Sequence, residues 1–589
     1  MTERSAAPDR ILVLDGASRA AVEAVQSLGK RGLEVHVAAR SDCPAFRSRW
    51  TARALMQPST SDSRRFTGWL RALPDEYALV IPATGYSLHH LASLPESDPL
   101  RALALLPAPD ALDIALDKAR TLDTAMQLGI SVPSSSLVSS SPGATFDGAS
   151  TDPFPCVLKP IRSVIAADGD LTEVYPALVL DDEQRSESLQ RLGRHCPVLE
   201  QERVPGIGIG VECLYARGRI VWHFAHERLH EGAGGGLGSG SFYRKSITAP
   251  PKLLQAARAL LDDLRWHGVA MVEFKYDPET GRYWLMEINP RLWGSVALAI
   301  DAGVDFPYGL YCIATDADPG PQPRYRQPYY TRLVPPDLDW IGRQIRREGV
   351  GRSRELLSLL RALSGRESWD HFAWTDPGPL MQNSVDYLRE KARALRTRRQ
   401  ARADAQAALR QHAWTLPRLR AHGTTSRILF VCTGNICRSP LAAALWQKRH
   451  PTMQVASAGF IPRQGRRAPG NVQAAARARE TCLADHRSQV LDETMLRESD
   501  LIVLFEPRHF VELRRAFPEC LEKIVMLGAL LHPTRASIDD PYQLSSAETE
   551  QVGAQVETGL DELATLLGLA PGGAVIEPPP RAGIASPGR

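Results

Sequence analysis

The sequence has no uninterrupted apolar stretch of the ~18 residues that a membrane-spanning helix requires. Its opening residues, MTERSAAPDR, are polar and lack the apolar centre of a signal peptide. Both absences predict a chain without a membrane span. Cysteine is sparse: the 9 cysteines among 589 residues are scattered, without the paired spacing of a zinc site. An odd, dispersed count argues against a disulfide framework and predicts reduced thiols in the cytoplasm. Charge of one sign is also lacking. The 70 basic and 67 acidic residues leave a net +3, which is too little to draw nucleic acid or a membrane surface by global charge. No internal repeat is visible. The turn after the run ILVL contains Gly16 alone, so the glycine fingerprint of a dinucleotide site is missing.

The 589 residues are too many for one core and predict about three to four domains. Residues 10–40, RILVLDGASRAAVEAVQSLGKRGLEVHVAAR, set an apolar run, a turn, an amphipathic stretch and a second apolar run in β-α-β order. ALVIPAT at 78–84 reads as another buried strand, so residues 1–110 are expected to form a small doubly wound α/β domain. Residues 111–320 alternate helix and strand patterns, interrupted by SSSLVSSSPGATFDGAS, a surface loop by composition. Residues 321–425 read as a helical, arginine-rich connector, as in DYLREKARALRTRRQARADAQAALRQ. A solvated helix is the preferred reading there, and a site for an acidic partner the other. A second β-α-β pattern opens at Arg427, and residues 426–570 are expected to form another α/β domain on a parallel sheet. The tail, 571–589, is rich in proline and glycine and is expected to be disordered.

Two regions carry chemistry. In the first, FPCVLKPIRS places Lys159 at the end of a strand. VAMVEFKYDPETGRYWLMEINPRLWGS reads as two antiparallel strands joined by DPETG. Glu287 and Asn289 are two apart and share a face. With Glu273 across the turn they make an all-oxygen cluster, suited to a hard cation such as Mg²⁺ and bound phosphates. The other reading is a hairpin with polar residues on a wet face. At these residues the chain resembles the ATP-grasp superfamily of carboxylate–amine and carboxylate–thiol ligases, over residues 1 to about 320. DKARTLDTAMQLGISVP resembles that family's entry segment, which makes Lys118 and Lys159 its two phosphate-contacting lysines. EQERVPG matches the adenine hinge, where Glu202 and Val204 would offer backbone groups. Glu273, Glu287 and Asn289 match the Mg²⁺ ligands (Mn²⁺ is possible), and Arg291 the arginine beside them. HEGAGGGLGSGSF at 230–242 matches a glycine-rich segment that would cover the phosphates. Many relatives hold the ribose with an acid two residues after the hinge Pro-Gly; here that place is Gly208, and Glu212 is the possible substitute. The resemblance implies ATP as cofactor and a carboxylate and an amine as substrates, none of which the residues name.

The second region is FVCTGNICRSPL at 430–441. A strand ends, Cys432 opens a turn containing Gly434, and a helix follows with Ser439 expected at its cap and Pro440 in its first turn. Backbone N–H groups of the turn and the helix start then converge on one anion site. A thiol held there is favoured as the thiolate, and Arg438 can bind two phosphate oxygens at once. Thiolate and guanidinium together suit attack on phosphorus through a phosphocysteine. ASIDDPYQL supplies Asp540 as general acid, then base.

This half resembles the low-molecular-weight protein tyrosine phosphatases over 427 to about 568, through VCTGNICRSP and DDPY, with SAG at 457–459 and DLIVLFE at 500–506 also fitting. The resemblance implies Cys432 as nucleophile, Arg438 as phosphate clamp and Asp540 as acid and base. It also implies Asn435 holding the loop's turn, Ser439 donating to the thiolate, and Tyr542 lining the mouth. Ile436 stands where relatives acting on phosphoarginine carry threonine, and resembles the tyrosine-specific ones. Cys437 is either a resolving cysteine for Cys432 or a small apolar loop residue. Arsenate reductases share the fold, but Cys482 and Cys520 are poorly placed for that chemistry. Arg463, Arg466 and Arg467 either attract acidic phosphopeptides or lie on a solvated loop, which is preferred.

The expected architecture is α/β throughout: a pre-grasp α/β domain, an ATP-grasp fold, the helical connector and a parallel-sheet phosphatase domain. The expected function is a phosphotyrosine phosphatase, acting on a protein or peptide, fused to an ATP/Mg-dependent ligase. Two rivals remain open: a nucleotide-binding first half without turnover, and a phosphatase acting on a small phosphorylated metabolite.

Overall fold

The computed structural model describes residues 10–73, 76–138, 154–167, 170–180, 182–231, 240–348, 358–422, 425–542 and 546–569. Most of the serine-rich loop, the 232–239 part of the glycine-rich segment and the tail 571–589 lie outside the described residues. The chain divides into two compact units, Met1–Arg389 and Glu390–Arg589.

The first unit opens with β1 (Arg10–Val13), β2 (Glu34–Ala39), β3 (Thr51–Met56) and β4 (Leu79–Ile81), paired in parallel in the order β3-β2-β1-β4. Ile11, Leu12 and Val13 are fully buried, as near-continuous apolar runs require in a parallel sheet covered on both faces. Helix α1 (Arg19–Lys30) follows β1, capped by Ser18, whose side chain accepts from Ala21 N. Next come β5 (Ser135–Val138), β6 (Cys156–Pro160), β7 (Val164–Ala167), β8 (Asp170–Glu173), β9 (Ala177–Val179) and β10 (Val198–Glu202). Four of these form an antiparallel sheet in the order β5-β10-β6-β9, and β7 pairs with β8.

A larger sheet of seven strands completes the unit: β11 (Ile207–Ala216), β12 (Arg219–Glu231), β13 (Ser241–Ser246), β14 (Gly268–Tyr276), β15 (Tyr283–Asn289), β16 (Tyr330–Arg332) and β17 (Glu367–Trp369), in the order β15-β14-β11-β12-β13-β16-β17. Alternation gives this sheet two different faces. Val211, Cys213 and Tyr215 pack with Leu253, Ala257 and Leu260 of the helix Pro251–Asp263. Leu214, Trp222, Phe224 and Met271 share a core with Ile11 and Val13 of the first sheet. The polar residues of β14 and β15 therefore look toward the parallel sheet's end of the unit.

The reading of 321–425 as a helical connector needs correction. Helices are present at Val334–Glu348 and Gly378–His422, but β16 and β17 between them extend the seven-stranded sheet. Arg332 anchors this edge through Glu367 at 2.8 Å and an ion pair with Asp337, all buried. Strands of 3 residues are too short to show alternation, and buried arginines read as surface in a sequence. The arginine-rich stretch 391–403 of the long helix is exposed throughout.

The second unit carries β18 (Arg427–Cys432), β19 (Gln454–Gly459), β20 (Leu501–Leu504) and β21 (Ile524–Met526), all parallel, in the order β19-β18-β20-β21. Helices Arg438–Arg449 and Ser546–Leu566 pack on one face, sharing a core with Phe430, Val503 and Val525. None of the nine cysteines is in a disulfide. Among the described residues no single helix is long and apolar enough to cross a membrane. The pair Val296–Ala302 and Phe306–Ala314 passes only when joined across an 87° bend, and both members lie in the core.

Candidate active sites

In the second unit β18 delivers Cys432 to the end of the parallel sheet, the end at which open α/β sheets bind their ligands. Cys432 Sγ lies 3.1 Å from Ser439 Oγ. The helix after the loop begins at Arg438 with Cys437 at its cap, and the cap has no side-chain bond. The expectation of Ser439 as cap residue is therefore corrected: its hydroxyl is turned back toward the thiol and bonds Asn435 and Ser439's own neighbour strand instead, meeting Ala458 O at 3.4 Å.

Asn435 is fully buried with φ +50°, a conformation that asparagine tolerates better than most residues. Its Nδ2 donates to Ser439 Oγ at 3.0 Å and to Ser457 Oγ at 2.9 Å, and its Oδ1 accepts from Gln489 N at 2.7 Å. The string SAG has a physical reason here. Ser457 holds Asn435, and a Cβ at Gly459 would stand 2.6 Å from Asn435 N, so only glycine lets β19 approach the loop.

Arg438 is fully buried. It donates to Ile538 O at 2.8 Å and to Asp540 Oδ2 at 2.8 Å, and pairs with Glu506 Oε1 at 2.5 Å. The structure thus brings Cys432, Asn435, Arg438, Ser439 and Asp540 to one loop. Tyr542 is exposed beside them, its N–H donating to Asp540 Oδ1 at 3.2 Å. Cys437 is buried, and burial, with Asp540 and Cys432 nearby, pushes its thiol up. Cys482 is exposed and Cys520 is buried in the core on the other side of the sheet.

Three neighbours escaped the motif reading. Glu506 is held below the usual carboxylate range: burial, which would raise it, is outweighed by Arg438 and Arg508. His509 is buried and pushed down to about 3 by that burial, so it is neutral; its Nε2 lies 3.0 Å from Thr433 Oγ1. Arg466, for which the sequence favours a solvated loop, instead donates from Nη2 to Gly434 O at 2.6 Å and so braces the loop. Glu506 stood in plain view at the end of DLIVLFE, where a carboxylate closing an apolar strand was the available signal.

In the first unit the register sets Glu273 opposite Glu287 and Met271 opposite Asn289. Asn289 Nδ2 donates to Glu273 Oε1 at 2.9 Å and to Glu287 Oε1 at 3.3 Å. The three expected ligands are thus one cluster. Lys118 Nζ donates to Ser163 Oγ at 2.8 Å and stands 3.8 Å from Glu287 Oε2. Lys159 is buried nearby, and burial brings it down to about 8 despite Glu287. Burial would raise Glu287, but Lys118 and Lys159 hold it below the usual range. Burial does raise Glu273, opposed by Arg228, whose Nη2 pairs with Glu273 Oε1 at 2.5 Å. Arg228 was not anticipated, because a strand arginine 45 residues upstream carries no local motif.

Two carboxylates and a carboxamide form a hard-oxygen set that fits a divalent cation. Among the described residues no group of three or more His, Cys, Asp or Glu is placed to hold a metal ion, so the set depends on Asn289. Arg291 lines a cavity of ≈ 570 Å³ together with Glu273, Glu287 and Asn289. Glu202 and Val204 do not line it, and the amide of Glu202 already donates to Ser134 O at 2.9 Å. Glu212 is fully buried and hydrogen-bonded to His226, which removes it as an exposed stand-in for the acid missing at Gly208.

Comparison with known proteins follows this division. Residues 427–570 match the family model described as low molecular weight phosphotyrosine protein phosphatase, and residues 195–332 match one described as ATP-grasp in the biosynthetic pathway with Ter operon. The low molecular weight protein-tyrosine-phosphatase Wzb of Salmonella typhi is 34% identical over 142 residues, which are 24% of this chain and 94% of that protein. A crystal structure of the Erwinia amylovora tyrosine phosphatase AmsI covers 24% of this chain and 93% of its own at 32% identity, with a TM-score of 0.23. The ADP complex of PurK, an N5-carboxyaminoimidazole ribonucleotide synthetase, covers 59% of this chain and 87% of its own at 14% identity, with a TM-score of 0.42.

Proposed function

Because the chain belongs, through residues 427–570, to the low molecular weight protein-tyrosine phosphatases, we propose that its second unit hydrolyses phosphotyrosine in a protein or peptide through Cys432. The observation that carries this reading is Cys432 Sγ at 3.1 Å from Ser439 Oγ, in the loop whose Arg438 donates to Asp540 at 2.8 Å. Cys432 Sγ attacks phosphorus, the S–P bond forms, and the bond to the tyrosyl oxygen breaks. Asp540 gives that oxygen its proton, then takes one from the water that attacks phosphorus, breaks the S–P bond and releases phosphate. Arg438 binds the equatorial oxygens and stabilises their charge. Incoming phosphate replaces Asp540 on Arg438 and frees that carboxyl for the leaving oxygen, while Glu506 keeps the guanidinium in place. Cys432→Ser is expected to lose all turnover of a phosphotyrosine peptide while still binding inorganic phosphate. Retained turnover would remove Cys432 from the mechanism.

For the first unit, which carries an ATP-grasp module, the reading is ATP-dependent activation of a carboxylate. Lys118 and Lys159 would face the phosphates, and Arg291 would stand beside the metal ligands. Glu273, Glu287 and Asn289 would hold Mg²⁺, or Mn²⁺, which neutralises phosphoryl charge when bound. A carboxylate oxygen attacks the γ-phosphorus and ADP leaves; an amine then displaces inorganic phosphate from the acyl carbon. The three oxygen ligands on one cavity, with Lys118 3.8 Å from Glu287 and Lys159 buried nearby, support this reading. The rival is nucleotide binding without turnover, favoured by Gly208 where an acid would hold the ribose. Amine-dependent ADP formation by the full chain separates the two. Cytoplasmic placement agrees with nine cysteines outside any disulfide.

A further inference from the structure

The cavity beside Glu273, Glu287 and Asn289 reaches the start of α1, where Arg19 enters it. No motif selects Arg19. Its Nη1 donates to Ser241 O at 3.1 Å, which leaves its other N–H groups for a ligand. A Cβ at Gly240 would stand 2.4 Å from its Nη2, and one at Gly294 would stand 3.0 Å from it. The two glycines therefore leave the space that the guanidinium fills, and the side chain is held in place.

Two of the three acids lining the cavity are in ion pairs, Glu273 with Arg228 at 2.5 Å and Glu287 with Lys118 at 3.8 Å, while Glu173 accepts from the Tyr175 hydroxyl at 2.8 Å. Arg19 and Arg291 line the same cavity, and neither forms an ion pair with a carboxylate among the described residues. Burial, with Arg244, Arg228 and Arg291 nearby, brings Arg19 down to about 10, with Asp370 opposing. Two half-buried cations, neither in a direct ion pair, present donors that an anion would satisfy.

We propose that the cavity takes a small organic acid with a second anionic group, a carboxylate or a phosphate, and that Arg19, with Arg291 beside it, grips that second group while the reacting carboxylate lies toward Glu287 and Asn289. The inference rests on the ligase reading of this unit, but anion binding can be measured apart from turnover. A charge-assisted pair in such a site is worth about tenfold or more in affinity.

The test is calorimetric titration of the full chain with malonate against acetate and with phosphoglycolate against glycolate. Nucleotide affinity is measured in parallel with a non-hydrolysable ATP analogue and Mg²⁺. Malonate or phosphoglycolate is expected to bind about tenfold tighter than its partner with a single anionic group, and whichever pair shows the larger gap identifies carboxylate or phosphate as the second group. Arg19→Gln is expected to abolish the gap, Arg19→Lys to restore part of it, and both to leave nucleotide affinity unchanged. Equal binding within both pairs, binding of none of the four, or a gap that survives Arg19→Gln overturns the proposal. A gap that depends on Arg19, with no amine-dependent ADP formation, upholds it and removes the ligase reading instead.

Discussion

Asn435→Ala tests whether the phosphatase loop is held by side-chain bonds and a left-handed residue together. The substitution removes the bonds to Ser439 at 3.0 Å, to Ser457 at 2.9 Å and from Gln489 N at 2.7 Å. Each is worth about 1 kcal/mol net, so their loss costs roughly 3 kcal/mol. Alanine at φ +50° adds about 1 kcal/mol, which Asn435→Gly avoids. With a slope of about 2 kcal/mol per molar urea for a domain of this size, the midpoint falls by roughly 2 M for alanine and roughly 1.5 M for glycine. Pulse hydrogen exchange with mass spectrometry on peptides from β18 to β21 reads that midpoint for the second unit alone, within the full chain. A midpoint within about 0.5 M of wild type for alanine, or a glycine variant less stable than alanine, would refute the reasoning.

Asp540→Asn is expected to slow release of tyrosine by roughly 10²- to 10⁴-fold, and release of p-nitrophenol much less, because only the poorer leaving group needs the proton. Equal losses on both substrates would take the acid role from Asp540. Burial places Lys159 at about 8, so its cation is present below that pH and lost above it. ATP affinity should therefore fall as pH rises through about 8, and Lys159→Met should be weak at every pH. A wild-type affinity that is flat across that range would detach Lys159 from the phosphates.

Much of this was legible from side chains that lie close in sequence. Cys432, Asn435, Arg438 and Ser439 belong to one loop, and Asp540 announces itself through the proline that follows it. Glu273, Glu287 and Asn289 share one hairpin, so strand alternation alone placed them together. What escaped is contributed by distant strands and helices. Arg228 reaches Glu273 across β11, Arg466 reaches Gly434 over 32 residues, and Arg19 meets Ser241 over 222 residues. An arginine buried against a carboxylate or a carbonyl has the same local sequence as a solvated one, and only packing tells them apart. The edge strands β16 and β17 escaped for a related reason, since their burial depends on Arg332, Asp337 and Glu367 meeting. Ser439 has the residue type of a helix cap, but the thiol and Asn435 compete for its hydroxyl.

The covalent intermediate gives the most direct test of the central claim. Asp540→Ala, mixed with p-nitrophenyl phosphate and quenched in acid, should carry phosphate on the peptide containing Cys432, and Cys432→Ser should carry none. Phosphate on another residue, or turnover of phosphotyrosine with no phosphorylated peptide under these conditions, would contradict the account.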